Sequence, residues 1–187
     1  MRAGRFATSL VWSTCLCLLS SLVLSGASHA KTAQEINASV NAVLDRFTAQ
    51  VKGSRELLRT AKGVLVFAGV IKAGIGVGGE YGEGALRIRG RTVAYYSIAS
   101  ASIGLQLGAQ KKDIVIVFLQ DEALRKFQAS QGWQVGVDGS VVLIDLGAGT
   151  SIDTTKINQP IVGFVIGQKG LMYNLTLEGS KISKLKK

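Results

Sequence analysis

Beyond residue 63 the chain is written in short β-branched and apolar runs, Val64 to Val70, Ile114 to Leu119, Val141 to Ile144 and Ile161 to Ile166, punctuated by glycine and with a single proline, Pro160. Runs of this length and composition, bounded by turn residues, form buried strands. Leu86 and Ile88 alternate with Arg87 and Arg89, which predicts a strand with one apolar and one cationic face. Gly74, Gly76, Gly78, Gly79, Gly82 and Gly84 are the densest glycine stretch, and its first part has the spacing of a dinucleotide-binding loop. That reading fails chemically: such a loop opens a helix, whereas this one leads into a strand, and Glu80 and Glu83 would repel phosphate. Closely spaced glycines also let a strand bend sharply or approach another backbone, and that is the expectation here.

Ahead of the strands the pattern is helical. Thr32 and Glu35 have capping-box spacing, and Ile36, Val40, Val43, Leu44, Phe47 and Val51 recur at intervals of three and four. Gly53 interrupts this stripe, a shorter helical stretch runs from Ser54 to Lys62, and Gly63 stops it. Asp121 is placed to cap a short helix through Phe127. The expected class is α+β: N-terminal amphipathic helices followed by a glycine-rich, mainly antiparallel β-sheet or partly closed barrel with one short helix. Charges on the first helix (Lys31, Glu35, Asp45, Arg46 and Lys52) nearly cancel, so it should dock on the sheet rather than insert into lipid. The lysine-rich tail, residues 181–187, is expected to be a mobile, solvated charge run, the alternative being that Ile182 and Leu185, spaced by three, pack back or touch a membrane.

The first thirty residues read as an export signal. Arg2 and Arg5 precede an apolar run from Leu10 to Leu24, and Ser28-His29-Ala30 supplies the small residues of a cleavage site between Ala30 and Lys31. The run is shorter than the roughly 20 residues of a membrane-spanning helix. The expected organisation is a signal peptide at 1–30 and one domain at 31–187, with a helical part at 31–62, a β-rich core at 63–180 and the basic tail. Cys15, Cys17 and His29 are the chain's only thiols and imidazole, and all three leave with the signal. Common nucleophiles, neutral-pH proton carriers and transition-metal ligands leave with them. Glu80 with Glu83 is then the nearest carboxylate pair, and Asp138, Asp145 and Asp153 lack the spacing of a calcium loop. The expectation is a protein that is not an enzyme, with no cofactor and no metal.

The net charge of +10 becomes +8 when Arg2 and Arg5 are removed, so the mature surface favours anionic partners. Export, to the periplasm or cell envelope if the source is bacterial, argues against nucleic acid and for anionic phospholipid or another envelope polyanion.

An ordered series of motifs then resembles a family. Ala61-Lys62-Gly63 precedes an apolar strand, Lys72-Ala73-Gly74 precedes the glycine-rich stretch, and Gly104 leads to Gly108-Ala109-Gln110. Asp113 opens the run to Phe118, and Gly132, Gly136, Gly170-Leu171 and Leu177-Glu178-Gly179-Ser180 follow. Over about residues 54 to 187 this resembles the SYLF domain of lipid-binding proteins and yeast actin regulators, in its exported bacterial branch. The resemblance implies membrane association: eukaryotic relatives bind phosphoinositides, with an amphipathic helix ahead of the domain and basic residues contributing, and what it implies for an exported bacterial relative is affinity for anionic phospholipid. Met172-Tyr173-Asn174 departs from the family pattern, no SH3 or zinc-finger module accompanies the domain, and actin binding is not expected.

The lipid-binding candidates are Lys62, Lys72, Arg87, Arg89, Arg91, Lys111 and Lys112. Arg87, Arg89 and Arg91 would form one cationic row if their strand runs through Gly90 without turning, and Lys111-Lys112 would sit at a turn beside it. Each basic residue near an anionic membrane contributes about 1 kcal/mol, in a salt-sensitive way. The competing function is an envelope structural or protein-interaction module without lipid specificity.

Overall fold

The computed structural model describes residues 30–144, 152, 157–170 and 177–187. Residues 1–29 of the expected signal, Asp145, Asp153 and the departure at 172–174 lie outside the described residues. Lys31–Lys187 is a compact unit.

Helix α1, Ala33–Gln50, begins where the sequence predicts. Thr32 Oγ1 accepts the Glu35 N–H at 3.2 Å, and Glu35 Oε2 accepts the Thr32 N–H at 2.7 Å. These two bonds satisfy donors that a helix start leaves open. The apolar stripe buries Ile36, Val40, Val43 and Phe47. Gly53 separates α1 from α2, Ser54–Thr60, in the left-handed region at φ 87°, and a Cβ there would collide with the Ile152 carbonyl oxygen.

Two long strands dominate the rest, β1 (Gly63–Ile88) and β2 (Arg91–Phe118), paired antiparallel along their whole length. The second edge of β2 is divided. Tyr95–Ala99 pairs with β6, Lys181–Leu185, and Gln110–Phe118 pairs with β5, Ile161–Gly170. Strand β3, Gly132–Gln134, extends the sheet beyond β6, and β4, Val142–Ile144, joins β5 in parallel. Helix α3, Asp121–Ala129, connects β2 to β3. Its cap is Gln120, and Asp121 stands in the first turn with Glu122, where both carboxylates complement the helix dipole.

Period-two alternation gives the sheet two buried faces. Val64, Val66, Val115 and Val117 pack against α1 and α2, while Leu65, Phe67, Ile114, Ile116 and Phe118 pack against α3 and Trp133. The second face is enclosed by the curl of the sheet as well, because Leu86, Tyr96 and Ile98, from the far parts of β1 and β2, join it. At Gly84 the curl brings β1 so close to itself that a Cβ would collide with the Val66 carbonyl oxygen. Phe127 of α3 fills the enclosed space, with ring centroids 4.9 Å from Tyr96, 5.0 Å from Phe118 and 5.5 Å from Trp133. The α+β class and the mainly antiparallel, partly closed sheet are as the sequence predicts.

Besides the cap of α3, which is Gln120 and not Asp121, two expectations are corrected. The strand carrying Leu86 and Ile88 does not run through Gly90: Ile88 pairs with Arg91, and Arg89 (φ 49°) and Gly90 (φ 77°) form a two-residue hairpin turn. The lysine-rich tail is not a solvated run. Its first five residues are β6, with Ile182 buried beside Trp133 and Tyr96, and lysine stems suit a strand whose alternate side chains face water.

Candidate functional site

Between Phe67 and Val70 the β1–β2 register shifts at a bulge centred on Gly69, φ 66°. Asp113 ties this bulge to α1. Its Oδ1 accepts the Gly69 N–H at 2.7 Å, and its Oδ2 pairs with the Arg46 guanidinium at 2.5 Å. Together α1, the bulge and β2 enclose an open groove of about 610 Å³, bordered by Lys31, Arg46, Ile71, Lys111 and Asp113. Arg46 and Lys111 are exposed and Lys31 is half-buried, so three cations reach the groove against one carboxylate already paired with Arg46. The Lys111 stem lies over Gly69, where a Cβ would come 2.9 Å from Lys111 Cε.

Apolar side chains are exposed on the same strand. Ile71 is 56% exposed, Val77 68% and Tyr81 49%. They flank a tight bend in which a Cβ at Gly74 would collide with Gly78. Burial, the hydrogen bond to Glu83 at 2.9 Å and that carboxylate's charge push the Tyr81 phenol up from its ordinary range.

The structure distributes the seven candidate cations widely. Lys111 alone reaches the groove from solvent. Lys112 borders it but is 1% exposed, with Nζ 3.0 Å from Glu80 Oε2 in a buried ion pair. Lys72, 6% exposed, pairs in register with Gln110, which is buried with both amide atoms unpartnered, as is Glu80 Oε1. Lys72, Gln110 and Lys112 thus form a polar interior, since alternation places all three on the face that carries Val70 and Ile114.

Arg87 is pinned to α1 through Asn41 Oδ1 at 2.8 Å, and Arg89 and Arg91 are exposed at the hairpin turn. The expected arginine row does not form, because the turn at Gly90 puts Arg91 on the returning strand. Arg46 and Asn41 are five residues apart on α1, which turns them by roughly 140° about the helix axis, so the groove and Arg87 use different sides of it. Lys62 lies beyond the other end of the strand pair, its N–H bonded to the Phe118 carbonyl and its Nζ 3.8 Å from Asp121. From Lys111 to Phe118 is seven residues of extended chain, about 23 Å.

Lys31 and Arg46, the groove's other cations, fall outside the sequence candidates. Neither lies in a basic cluster, and only the docking of α1 brings them to Lys111. Glu80 and Glu83, read as a carboxylate pair, point to opposite faces: Glu80 meets Lys112 inside, while Glu83 meets Tyr81, Lys31 and Lys187 under the start of α1. An odd separation along a strand requires this. Among the described residues no group of three acidic, cysteine or histidine side chains is placed to hold a metal ion, and no helix is long and apolar enough to cross a membrane.

Residues 99–187 match the family model described as Ysc84: Las17-binding protein actin regulator. Residues 99–187 are thus similar to the SYLF family. That family is one of lipid-binding and actin-regulating domains. Comparison with curated proteins returns no match. The SYLF match opens at Ala99, in the middle of β2, so it covers Lys111, Lys112 and Asp113 while α1 and β1 precede it. Because β1 pairs with β2 throughout, the physical unit around the SYLF segment includes both. Lys31 and Arg46 therefore reach the groove from outside the matched segment.

Proposed function

We propose that this protein is an exported, non-catalytic SYLF protein that docks on membranes containing anionic phospholipid, with a headgroup phosphate in the groove among Lys31, Arg46 and Lys111. The observation that carries the reading is the pairing of that cationic groove with exposed Ile71 on its wall and Val77 and Tyr81 further along β1. Cations attract the headgroup layer while small apolar side chains enter its boundary, and neither contribution alone gives stable attachment. Similarity to that family supports lipid as the ligand class. Export rests on the Arg2, Arg5 and Leu10 to Leu24 pattern and on the small residues before Lys31. The engagement of Glu80 and Glu83 in separate ion pairs supports a binding role over acid–base chemistry. Las17 binding and actin regulation belong to the family's description and form no part of this proposal.

The test is flotation of the exported protein with vesicles of neutral lipid alone and with increasing phosphatidylglycerol or phosphoinositide, across a salt series. Binding should appear only with anionic lipid and fall steeply as salt rises. Equal recovery with neutral vesicles, or none with anionic vesicles at low salt, overturns the proposal and favours the envelope protein-interaction module.

A further inference from the structure

The folded unit begins abruptly. Ala30 is exposed, Lys31 is half-buried, and Thr32 is already the cap of α1. At this entry point the Lys31 main-chain nitrogen donates to Glu83 Oε2 at 3.0 Å. Glu83 is only 5% exposed, an unusual setting for a carboxylate unless a cation compensates it. Its Oε1 accepts the Tyr81 hydroxyl at 2.9 Å, and Lys187 Nζ lies 3.3 Å from Oε2. Lys187 Nζ also donates to the Lys31 carbonyl, and Lys31 Nζ donates to the Ala68 carbonyl at 3.3 Å. Lys31 and Lys187 therefore converge on one buried carboxylate.

We propose that Glu83 is the receptor for the α-ammonium group that cleavage between Ala30 and Lys31 creates, so that removal of the leader completes a buried ion pair and locks the start of α1 to β1. In the uncut chain the Lys31 nitrogen is a neutral amide with one proton to donate. Hydrolysis breaks the Ala30 C–N bond, water supplies the oxygen of a new Ala30 carboxylate, and its two protons convert the Lys31 amide to an ammonium. The same nitrogen, already at hydrogen-bond distance, then carries a full positive charge toward a desolvated carboxylate, which makes a stronger bond than an amide can. Cleavage one residue earlier or later would misplace that charge by about 3.3–3.6 Å. Glu83 thus fixes which bond must be cut, independently of any role of the groove in lipid binding.

The experiment uses the chain exported with its own leader. Intact-mass analysis should find Lys31 as the first residue, and a first residue elsewhere overturns the proposal. Acetylation by a mild amine reagent, followed by mass spectrometry, should proceed at the Lys31 α-amino group about tenfold more slowly in the folded protein than in urea-unfolded protein, because the ion pair with Glu83 holds the group in its unreactive ammonium form. Equal rates overturn the proposal. Glu83→Gln should restore the fast rate, and should lower Tm by roughly 3–6 °C in the unblocked protein but by clearly less once the α-amino group is acetylated. An equal loss in both forms would show Glu83 to be structural only. If Glu83→Gln does not fold, the wild-type acetylation rates decide alone.

Discussion

The bulge at Gly69 divides one pair of strands into two stretches of opposite character. On one side, Val64–Phe67 and Ile114–Phe118 bury apolar side chains on both faces, under α1 and α2 and against Phe127. On the other, Lys72, Gln110 and Lys112 face inward with Glu80, while Lys111 and Ile71 face out into the groove. Pairing continues through both stretches, so the difference lies in the side chains and not in the ladder. The apolar stretch supplies the burial that holds the sheet together, and the polar stretch carries a desolvated ion pair and unmade hydrogen bonds. A fold tolerates such costs where it uses the chemistry, and here the costly stretch is the one that borders the open groove.

The comparison breaks most readily at the apolar end. Phe127→Ala should remove about 4 kcal/mol of stability, the cost of deleting a ring that touches Tyr96, Phe118 and Trp133. Denaturant unfolding followed by Trp133 fluorescence measures it. The folded fraction should still bind vesicles unchanged, and a parallel loss of lipid affinity would show that the two stretches are not separable.

A somewhat smaller loss is expected inside the polar stretch. Glu80→Gln leaves Lys112 charged and buried without its carboxylate, at a cost of about 3 kcal/mol. The informative companion is the double change Glu80→Leu with Lys112→Met, which should recover most of that loss, because packing replaces a desolvated pair. Urea midpoints of the three proteins decide it. Failure of the double variant to recover would mean that the pair sets the geometry of the bulge.

How much of this was legible in the sequence follows from the range of the interactions. The capping box of Thr32 and Glu35, the α1 stripe and the apolar strand runs depend on neighbours three or four residues away or on simple alternation, and each is found where the pattern puts it, whereas α2 ends at Thr60 with Ala61 as its cap, short of the expected stop at Gly63. The turn at Arg89-Gly90 was hidden, because Arg89 at positive φ lacks the asparagine or aspartate that ordinarily announces such a turn. The incorporation of Lys181–Leu185 as β6 was hidden as well, since Ile182 reveals its partner only once β2 and Trp133 are in place. The groove was legible in one residue, Lys111. Lys31 and Arg46 stand fifteen positions apart in sequence and meet Lys111 only through the docking of α1 and the tie from Asp113. Lys72 and Lys112 read as surface charge because nothing in the local pattern says that the sheet curls over them.

The smallest expected effect is the most direct test of the division of labour. Lys111→Glu and Arg91→Glu change the net charge equally, and both residues are exposed, one at the groove and one at the hairpin turn. In flotation with anionic vesicles at low salt, Lys111→Glu should weaken binding by roughly 2 kcal/mol, a loss of about thirtyfold, while Arg91→Glu should stay within a few-fold of the parent protein. Equal losses for the two variants would mean that net charge alone drives association, and would contradict the assignment of binding to the groove.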